Sequence, residues 1–419
     1  MTSMKHLKEV DPEIYDVCNN ELDRGRKGLE MIASENYVSR AVLQATGSVL
    51  TNKYSEGYPL KRYYGGNEFV DIGENLAIER AKKLFGAEYV NVQPHSGSTA
   101  NMEAYFALLE IGDPILSMSL DHGGHLTHGS PVSFSGKHYK IHPYGVDKVT
   151  HLISMEEVRF KAKEVKPKLI LAGFSAYSRD LDFKYFKEIA DEVGAYLMAD
   201  IAHVAGLVAA KESPDPVPYC DIVTTTTHKT LRGPRGAMIM AKAQHEKAVR
   251  MAVFPGMQGG PLDMQTIAKA VCFKEAMEPS FKKYAVQTKK NAKSLAESLN
   301  AEGAKLISGG TDNHLVLLDI TPYGIGGKEA EKLLDKVHIF TNKNMIPFDT
   351  RTPFDPSGIR LGTPALTTRG LVEPDLMSIG EFIVKALKNP KDSSMHERIK
   401  TDVIQLCETY PLYPDLQIL

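Results

Sequence analysis

Residues 224–236 read Thr-Thr-Thr-Thr-His-Lys-Thr-Leu-Arg-Gly-Pro-Arg-Gly, so Lys229 stands between a β-branched, hydroxyl-rich run and a glycine-proline loop. Upstream, Asp200 ends the apolar run 195–199, and His203 follows three residues later. Pyridoxal phosphate (PLP) chemistry needs a lysine amine that forms a Schiff base and a carboxylate that keeps the pyridine nitrogen protonated. The alternative is that Lys229 is a solvated loop lysine and Asp200 a helix cap. The full surrounding stretch favours the PLP site.

Short apolar runs alternate with helical patterns on both sides of this stretch. The strand-like runs are residues 89–92, 114–118, 169–172, 195–199, 222–225 and 237–240. Such alternation predicts βαβ units and a mostly parallel sheet between helices, which is an α/β fold. Ligands of these sheets bind at the carboxyl ends of the strands, and both Asp200 and Lys229 follow such an end.

The pattern divides the chain into three predicted parts. Residues 1–80 are expected to form an N-terminal helical arm and a loop for dimer contact and the active site, and residues 81–280 a large PLP-binding sheet domain. Residues 281–419 are expected to form a smaller C-terminal α+β domain. The long helical pattern over residues 262–299 is expected to be one stretch that bridges to this last domain.

Composition argues against several classes of function. The 50 basic and 52 acidic side chains give a net charge of −2, so nothing indicates nucleic acid or an acidic membrane surface as a partner. The four cysteines are far apart and form no CxxC pair, which favours a reducing compartment. No apolar run approaches the roughly 18 residues of a membrane span, and the N-terminus lacks the apolar core of a signal peptide. A soluble, cytoplasmic protein is expected.

Two further segments carry side chains that suit a cofactor site. Residues 96–98, Ser-Gly-Ser, follow a strand and open a predicted helix, where N–H groups and hydroxyls favour a phosphate, although a plain helix cap has the same pattern. His122, His125 and His128 recur every third residue, but two glycines interrupt them and no acidic or cysteine ligand completes a metal site. We therefore predict no metal. One ring stacked on an aromatic cofactor fits better, with loop hydrogen bonding as the alternative.

Two loops and one arginine complete the candidate site. The loop 54–67 holds four tyrosines, Glu56 and three glycines, a composition typical of site-lining or subunit-contact loops and equally of a packed surface loop. The glycine-rich segment 254–261 allows close approach of another backbone. Arg360 lies between apolar neighbours and needs a partner if it is buried. A substrate carboxylate in its bidentate fork is one such partner, and an internal salt bridge is the other.

Taken together and in order, these segments resemble the serine hydroxymethyltransferase family, PLP enzymes of fold type I, the aspartate aminotransferase type. The resemblance runs from about Asp11 to about Lys388. It implies a large domain whose mostly parallel, seven-stranded type of sheet lies between helices. The matching motifs are Tyr54-Ser-Glu-Gly-Tyr-Pro, Arg62-Tyr-Tyr-Gly-Gly, Ser96-Gly-Ser, Asp121-His-Gly-Gly-His-Leu-Thr-His-Gly, Asp200-Ile-Ala-His-Val-Ala-Gly, Thr224 to Gly236, and Gly358-Ile-Arg-Leu-Gly-Thr-Pro-Ala.

The resemblance implies a role for each residue that would touch the cofactor. Lys229 would carry PLP, Asp200 would pair with the pyridinium nitrogen, and His125 would stack on the ring. The other implied contacts are Ser96, Gly97 and Ser98 around the phosphate, His203 at the phenolic oxygen, Ser175 and Thr226 in support, and Tyr54 and Gly260 from the neighbouring subunit.

The resemblance also implies substrate contacts. Arg360 would grip the amino acid carboxylate, assisted by Ser34 and Tyr64, with His203 nearby. Glu56, contributed by the partner chain, would lie near the substrate hydroxyl and handle a proton. A homodimer or tetramer with shared sites follows from this sharing. The positions that match folate contacts are Leu120, Gly124, Leu126, Asn344 and Phe354.

The implied reaction moves the hydroxymethyl carbon of serine to tetrahydrofolate and gives glycine and 5,10-methylenetetrahydrofolate, a step of one-carbon metabolism. Departures from the family pattern are Asn67 in place of a frequent cysteine, Thr99 in place of glutamine, and Ala237 in place of glycine. Asp355-Pro356 replaces a more usual Val-Thr beside the folate positions, so folate affinity or polyglutamate preference is where this chain is expected to differ from the family.

Two other classes of function remain open at this point. A sister PLP enzyme, such as a threonine transaldolase or aldolase or an α-methylserine hydroxymethyltransferase, would share Lys229, Asp200 and Arg360. A catalytically silent scaffold or RNA-binding relative would be a different class. The retention of every cofactor residue and the lack of a basic patch argue against it.

Overall fold

The computed structural model describes residues 4–416, which form two compact units. The large unit contains residues 38–286 and 346–348. The small unit contains the chain up to Tyr37, residues 287–345 and the chain from Asp349 onwards. The division at residues 80 and 280 stays a prediction, and its outer ends, 1–3 and 417–419, lie outside the described residues.

A seven-stranded sheet forms the core of the large unit. Five neighbouring strands run parallel, whereas Ala237–Ala241 is antiparallel to both strands beside it. The mostly parallel α/β sheet is therefore confirmed, with one strand reversed. All seven carry apolar residues buried between layers of helices, as such sheets require. From edge to edge the strands are Tyr89–Asn91, Ala237–Ala241, Ile222–Thr226, Tyr196–Asp200, Leu169–Gly173, Pro114–Met118 and Lys140–Tyr144.

The helices of the large unit begin and end where the sequence supplies caps. Asp182 accepts a hydrogen bond from the Tyr185 N–H at 3.0 Å and starts the helix Phe183–Val193, which Gly194 ends in the left-handed region at φ +70°. The helices are Arg40–Thr46, Glu68–Phe85, Gly97–Leu108, Phe134–His138, Met155–Val165, Phe183–Val193, Ala205–Ala209, Glu246–Met251 and Asp263–Ala276.

The small unit is built on an antiparallel sheet with helices packed against it. Its strands, in spatial order, are Lys305–Leu306, Leu315–Asp319, Gly358–Gly362 and Asn342–Asn344. A second, parallel pair joins Leu29–Glu30 to Ile339–Phe340. The helices of this unit are Lys5–Val10, Pro12–Lys27, Gly327–Lys336, Pro364–Arg369, Glu373–Lys388 and Ser393–Thr409.

The helical pattern over residues 262–299 was predicted as one stretch, and this prediction is wrong. The chain forms Asp263–Ala276 and then Pro279–Ala301. Pro279 has no N–H and its ring clashes with the preceding turn, so it begins a new helix and cannot continue the first. The second helix crosses from the large unit into the small one.

Candidate active site

Lys229 lies in a loop that is fastened at both ends. The Thr227 N–H donates to the Gly236 carbonyl at 3.0 Å, and the Gly233 N–H donates to the Thr227 carbonyl at 2.7 Å. Within this loop the Lys229 Nζ donates to the Thr226 Oγ1 at 3.1 Å. The half-buried amine is therefore placed beside the end of a strand at the carboxyl edge of the sheet.

Asp200 ends the next strand of the same sheet and is buried. One carboxylate oxygen accepts hydrogen bonds from Asn101 at 2.8 Å and lies 3.0 Å from the His128 Nε2. The other accepts from the Ala202 N–H at 3.0 Å. Burial alone would raise the pKa of Asp200, but the hydrogen bond and charge of His128, with the Asn101 bond, hold that pKa well below its usual range. Asp200 is thus a buried carboxylate that stays charged at neutral pH.

Asn101 and His128 were not predicted as site residues, although both hold Asp200. The Thr224 hydroxyl donates to the Asn101 Oδ1 at 2.6 Å, which orients the amide so that its NH₂ points at Asp200. The same Nδ2 also donates to the Thr127 Oγ1 at 2.8 Å. The sequence contained one signal for His128, namely its place in the histidine run, where hydrogen bonding was the alternative to stacking or metal binding.

His125 is fixed by the short helical turn that follows it. Its Nδ1 accepts from the Thr127 N–H at 3.2 Å and lies 2.8 Å from the Thr127 Oγ1. Its backbone N–H donates to the His128 Nδ1 at 3.2 Å, and the two rings lie 5.6 Å apart with their planes 62° apart. His128 therefore contacts both His125 and Asp200, and Thr127 joins His125 to Asn101, the other side-chain partner of Asp200.

The Ser96 turn has the geometry of an anion site. Ser96 caps the helix Gly97–Leu108 by accepting from the Thr99 N–H at 3.2 Å, and its hydroxyl lies 2.9 Å from that of Thr99. A Cβ at Gly97 would lie 2.7 Å from the Thr226 methyl group, so only glycine fits here. Ser98 is exposed at the helix start. The helix N-terminus therefore packs directly against the strand that leads to Lys229.

Two other predicted cofactor residues follow the neighbouring strands. The Ser175 N–H donates to the Gly123 carbonyl at 2.7 Å, which ties the end of one strand to the histidine loop. The buried His203 ring stacks near Phe174 at 6.5 Å, and its carbonyl accepts from the Thr230 hydroxyl at 2.8 Å. His203 is thereby joined to the loop that carries Lys229.

The loop 54–67 folds onto the glycine segment of the same chain. The Tyr54 hydroxyl donates to Glu56 at 3.1 Å, and this bond raises the pKa of Tyr54. The rings of Tyr54 and Tyr64 meet edge to face at 5.0 Å, and both side chains are about half exposed. A Cβ at Gly260 would lie 3.2 Å from the Tyr54 ring. The four residues Tyr54, Glu56, Tyr64 and Gly260, which we call the tyrosine cluster, therefore form one surface group.

Gln258, two residues before Gly260 in the chain, holds the turn before Ser96 and was not predicted. Its side chain accepts from the His95 N–H at 3.0 Å and donates to the Gln93 carbonyl at 3.0 Å. Both bonds lie in the turn just before Ser96. A glutamine in a glycine-rich loop gives no sequence signal of such a role.

Arg360 belongs to the small unit and lies in a central strand of its sheet. Its Nε donates to the Asn342 Oδ1 at 3.1 Å, and one terminal nitrogen lies 3.5 Å from the Ser34 hydroxyl. Burial lowers the pKa of Arg360 to about 10, so the guanidinium stays charged at neutral pH. Asn342 was not predicted as a site residue. It lies on the neighbouring strand and orients the Arg360 guanidinium through its hydrogen bond to Nε.

The positions that match folate contacts fall in both units. Leu120 and Leu126 of the large unit are partly exposed, and Gly124 between them has no room for a Cβ, which would lie 2.2 Å from the Met118 carbonyl. In the small unit, the Asn344 amide donates to the Met345 carbonyl at 2.6 Å, and Phe354 is 85% exposed. An exposed phenylalanine of this size is available for contact with a ligand.

Residues 4–416 contain neither a metal-binding cluster nor a membrane-spanning helix. No group of three or more histidine, cysteine, aspartate or glutamate side chains could hold a metal ion. No helix among them is long and apolar enough to cross a membrane. All four cysteines, Cys18, Cys220, Cys272 and Cys407, are free thiols.

Comparison with known proteins identifies the family. A family model described as serine hydroxymethyltransferase matches residues 7–383. The chain belongs to the serine hydroxymethyltransferase family. A serine hydroxymethyltransferase from Koribacter versatilis (strain Ellin345) is 58% identical over 409 residues, which cover 98% of this chain and 96% of that protein. The resemblance seen in the motifs is therefore confirmed.

Serine hydroxymethyltransferases depend on PLP and use tetrahydrofolate as co-substrate, so this chain is a PLP-dependent transferase of one-carbon groups. The donor set of the large unit fits that cofactor. A buried carboxylate, a lysine amine beside a hydroxyl and a capped helix N-terminus meet at one sheet edge. These groups match a pyridinium nitrogen, an aldehyde and a phosphate, in that order.

Proposed function

We propose that Lys229, Asp200 and the Ser96 turn form the PLP site of this serine hydroxymethyltransferase, and that Arg360 binds the carboxylate of serine. The observation that carries the proposal is Asp200, a buried carboxylate with a lowered pKa, on the strand next to the one that precedes Lys229. PLP supplies the electron sink when bound. Asp200 keeps the ring nitrogen protonated by remaining charged itself.

The positions of several side chains support the remaining cofactor contacts that we propose. Thr226 accepts from the Lys229 amine and keeps it at the strand end. Ser96, Gly97 and Ser98 donate N–H and hydroxyl groups to the phosphate, and Ser175 supports the cofactor from the adjacent strand end. His125 stacks on the ring, held in place by Thr127. His203 serves the phenolic oxygen and the incoming amino acid.

Charged and hydroxyl side chains bind the substrate in this proposal. Arg360 binds the serine carboxylate through its fork, with Asn342 and Ser34 fixing the guanidinium plane. Glu56 holds or moves the proton of the serine hydroxyl, and Tyr64 assists at the same place. Leu120, Gly124, Leu126, Asn344 and Phe354 receive the folate.

The reaction is tested by product formation from serine with PLP-loaded protein, with and without tetrahydrofolate. Glycine and methylenetetrahydrofolate should appear together, and only with the folate present. Glycine formation that ignores the folate would instead favour a threonine aldolase or transaldolase. Methylserine as the better substrate would favour the α-methylserine enzyme.

We also propose that two chains share each active site, because Tyr54 and Tyr64 leave half-exposed rings around Glu56 and Gly260. A homodimer is the smallest assembly that satisfies this, and a tetramer of two such dimers is the next. Two inactive variants, Lys229→Ala and Glu56→Gln, test the sharing when they are mixed and reassociated. In a mixed dimer one site would carry both changes and the other neither, so about a quarter of wild-type activity should return. If Glu56 served the site of its own chain, no activity would return.

We further propose a cytoplasmic location, which the four free thiols favour. Fractionation of cells that express the tagged chain tests this. The enzyme should partition with cytoplasmic markers, and recovery from the membrane or exported fraction would contradict the proposal.

A further inference from the structure

Lys269 is a buried charge outside the residues assigned above. It lies in the helix Asp263–Ala276 and is 2% exposed. Its Nζ donates to three backbone carbonyl oxygens: Val92 at 2.5 Å, Ala237 at 2.8 Å and Pro94 at 3.1 Å. Burying a lysine is costly unless its ammonium group is hydrogen-bonded, so these three bonds offset part of that cost.

The three contacts require the ammonium form. A neutral amine has only two N–H groups, whereas three carbonyl acceptors need three donors. Burial lowers the pKa of Lys269 to about 7, while the carboxyl groups of Glu103 and Glu74 act in the opposite direction. Glu103 is itself fully buried, and burial raises its pKa to about 8. The three converging carbonyl oxygens therefore favour the ammonium form of Lys269, against the effect of burial.

The three carbonyls belong to two segments that both lead to the cofactor site. Val92 and Pro94 lie in the turn that runs into Ser96, and Ala237 opens the strand that returns from the Lys229 loop. The Ala237 N–H also donates to the Pro94 carbonyl at 3.2 Å. Lys269 therefore binds both sides of the junction between the anion site and the lysine loop.

Close packing keeps Lys269 at this junction. A Cβ at Gly236 would lie 2.6 Å from the Lys269 Cε, so the lysine stem occupies the space beside the loop end. Gln258 holds the same turn at Gln93 and His95. The turn before Ser96 is consequently fixed by one side chain from each of two different segments.

We propose that Lys269 is a positioning residue for the cofactor phosphate: its ammonium fixes the turn before Ser96 against the end of the Lys229 loop. The inference rests on the proposed PLP site. It assigns Lys269 no contact with the cofactor. Its effect reaches the phosphate through Pro94 and the helix N-terminus that begins at Gly97.

Affinity for two forms of the cofactor tests this role. The dissociation constants of PLP and of pyridoxal, which lacks the phosphate, are measured by absorbance titration of the apoprotein. The variants are Lys269→Met, which keeps the stem, and Lys269→Arg, which keeps the charge but whose planar fork cannot point at three converging carbonyls. Lys274→Met is the matched control, since Lys274 lies on the same helix, is 60% exposed and pairs with Glu278 at 3.4 Å.

We expect Lys269→Met to weaken PLP binding at least about tenfold while pyridoxal binding changes less than about twofold. Lys269→Arg should lie between wild type and Lys269→Met, and the control should match wild type. An equal loss for PLP and pyridoxal would overturn the inference in favour of a purely structural lysine, as would wild-type PLP affinity in either folded variant. If Lys269→Met does not fold, the ratio of PLP to pyridoxal dissociation constants in Lys269→Arg tests the inference instead. Failure of the wild-type protein to bind PLP would instead refute the proposed site itself.

Discussion

The side-chain amide of Asn101, in the helix Gly97–Leu108, donates a hydrogen bond to the carboxylate of Asp200 at 2.8 Å. Asn101 stands one turn inside the helix that begins at Gly97. The group that would serve the ring nitrogen and the group that would serve the phosphate are therefore linked through one residue. Thr224 fixes the orientation of that amide at 2.6 Å.

Asn101→Ala should lower both stability and turnover. Asp200 would lose one of its two side-chain partners while remaining buried, and such a loss costs about 1–3 kcal/mol of folding free energy. Thermal unfolding of the apoprotein and kcat with saturating PLP measure the two effects. Thr224→Val is the matched control, because it keeps the amide but frees its orientation, so its effect should be smaller. Wild-type kcat in Asn101→Ala would contradict this account of Asp200.

Asp200→Asn should remove most of the activity while leaving the chain folded. An amide cannot hold the ring nitrogen protonated, and a loss of about 100-fold in kcat corresponds to about 2.7 kcal/mol of activation free energy. Steady-state kinetics at saturating PLP and serine, with circular dichroism as the fold control, check this. A decrease confined to the KM of serine would point to a substrate role for Asp200 and not to a cofactor role.

The lowered pKa of Asp200 predicts how stability depends on pH. The pKa of the unfolded carboxyl lies near the ordinary aspartate value of about 3.9, and the pKa of the folded one lies below that. Its stabilising contribution is therefore fully present above the unfolded pKa and is lost as pH falls through the folded pKa. The difference in unfolding free energy between wild-type and Asp200→Asn apoproteins should be largest near neutral pH and should shrink in acid. Urea unfolding at several pH values measures it, and a difference that grows towards acid would be the wrong sign.

Gly97→Ala should disturb the proposed phosphate site through a steric contact that a second substitution can relieve. The new Cβ would lie 2.7 Å from the Thr226 methyl group, and overpacking of this kind costs about 1–3 kcal/mol. Thr226→Ser removes that methyl group and keeps the hydroxyl that accepts from Lys229. We expect PLP affinity to fall in Gly97→Ala and to recover in the double variant, with Thr226→Ser alone as the control. No recovery would show that glycine is required for a reason other than this methyl contact.

Arg360→Lys should weaken serine binding far more than PLP binding. A lysine keeps the charge but lacks the planar fork, so the carboxylate contact is lost in its bidentate form. The KM for serine should rise about tenfold or more, equivalent to about 1.4 kcal/mol, while the dissociation constant of PLP stays near wild type. Ser34→Ala provides the comparison, because its 3.5 Å contact with Arg360 is long and its loss should matter less. Equal effects on serine and PLP would argue against a substrate role.

The sequence could predict those features that local pattern encodes. Asp200 and Lys229 each follow an apolar run, so the α/β pattern alone placed both at the binding edge of the sheet. Asn101 and Gln258 could not be found in this way, because each acts on a segment far away in sequence. Their partners become neighbours only when the strands pair. The break at Pro279 was readable in principle, since proline begins a helix more readily than it continues one.

The reversed strand Ala237–Ala241 has a consequence for how the lysine loop is held. Because it pairs directly with Ile222–Thr226, both ends of the loop that carries Lys229 are anchored to adjacent strands. Closing a loop costs conformational entropy, and this cost is smaller when the loop ends are already held close together. Here the pairing of the two strands brings the ends together when the sheet folds. If Lys229 binds PLP as proposed, the loop is already ordered before binding, so little conformational entropy is lost when the cofactor binds.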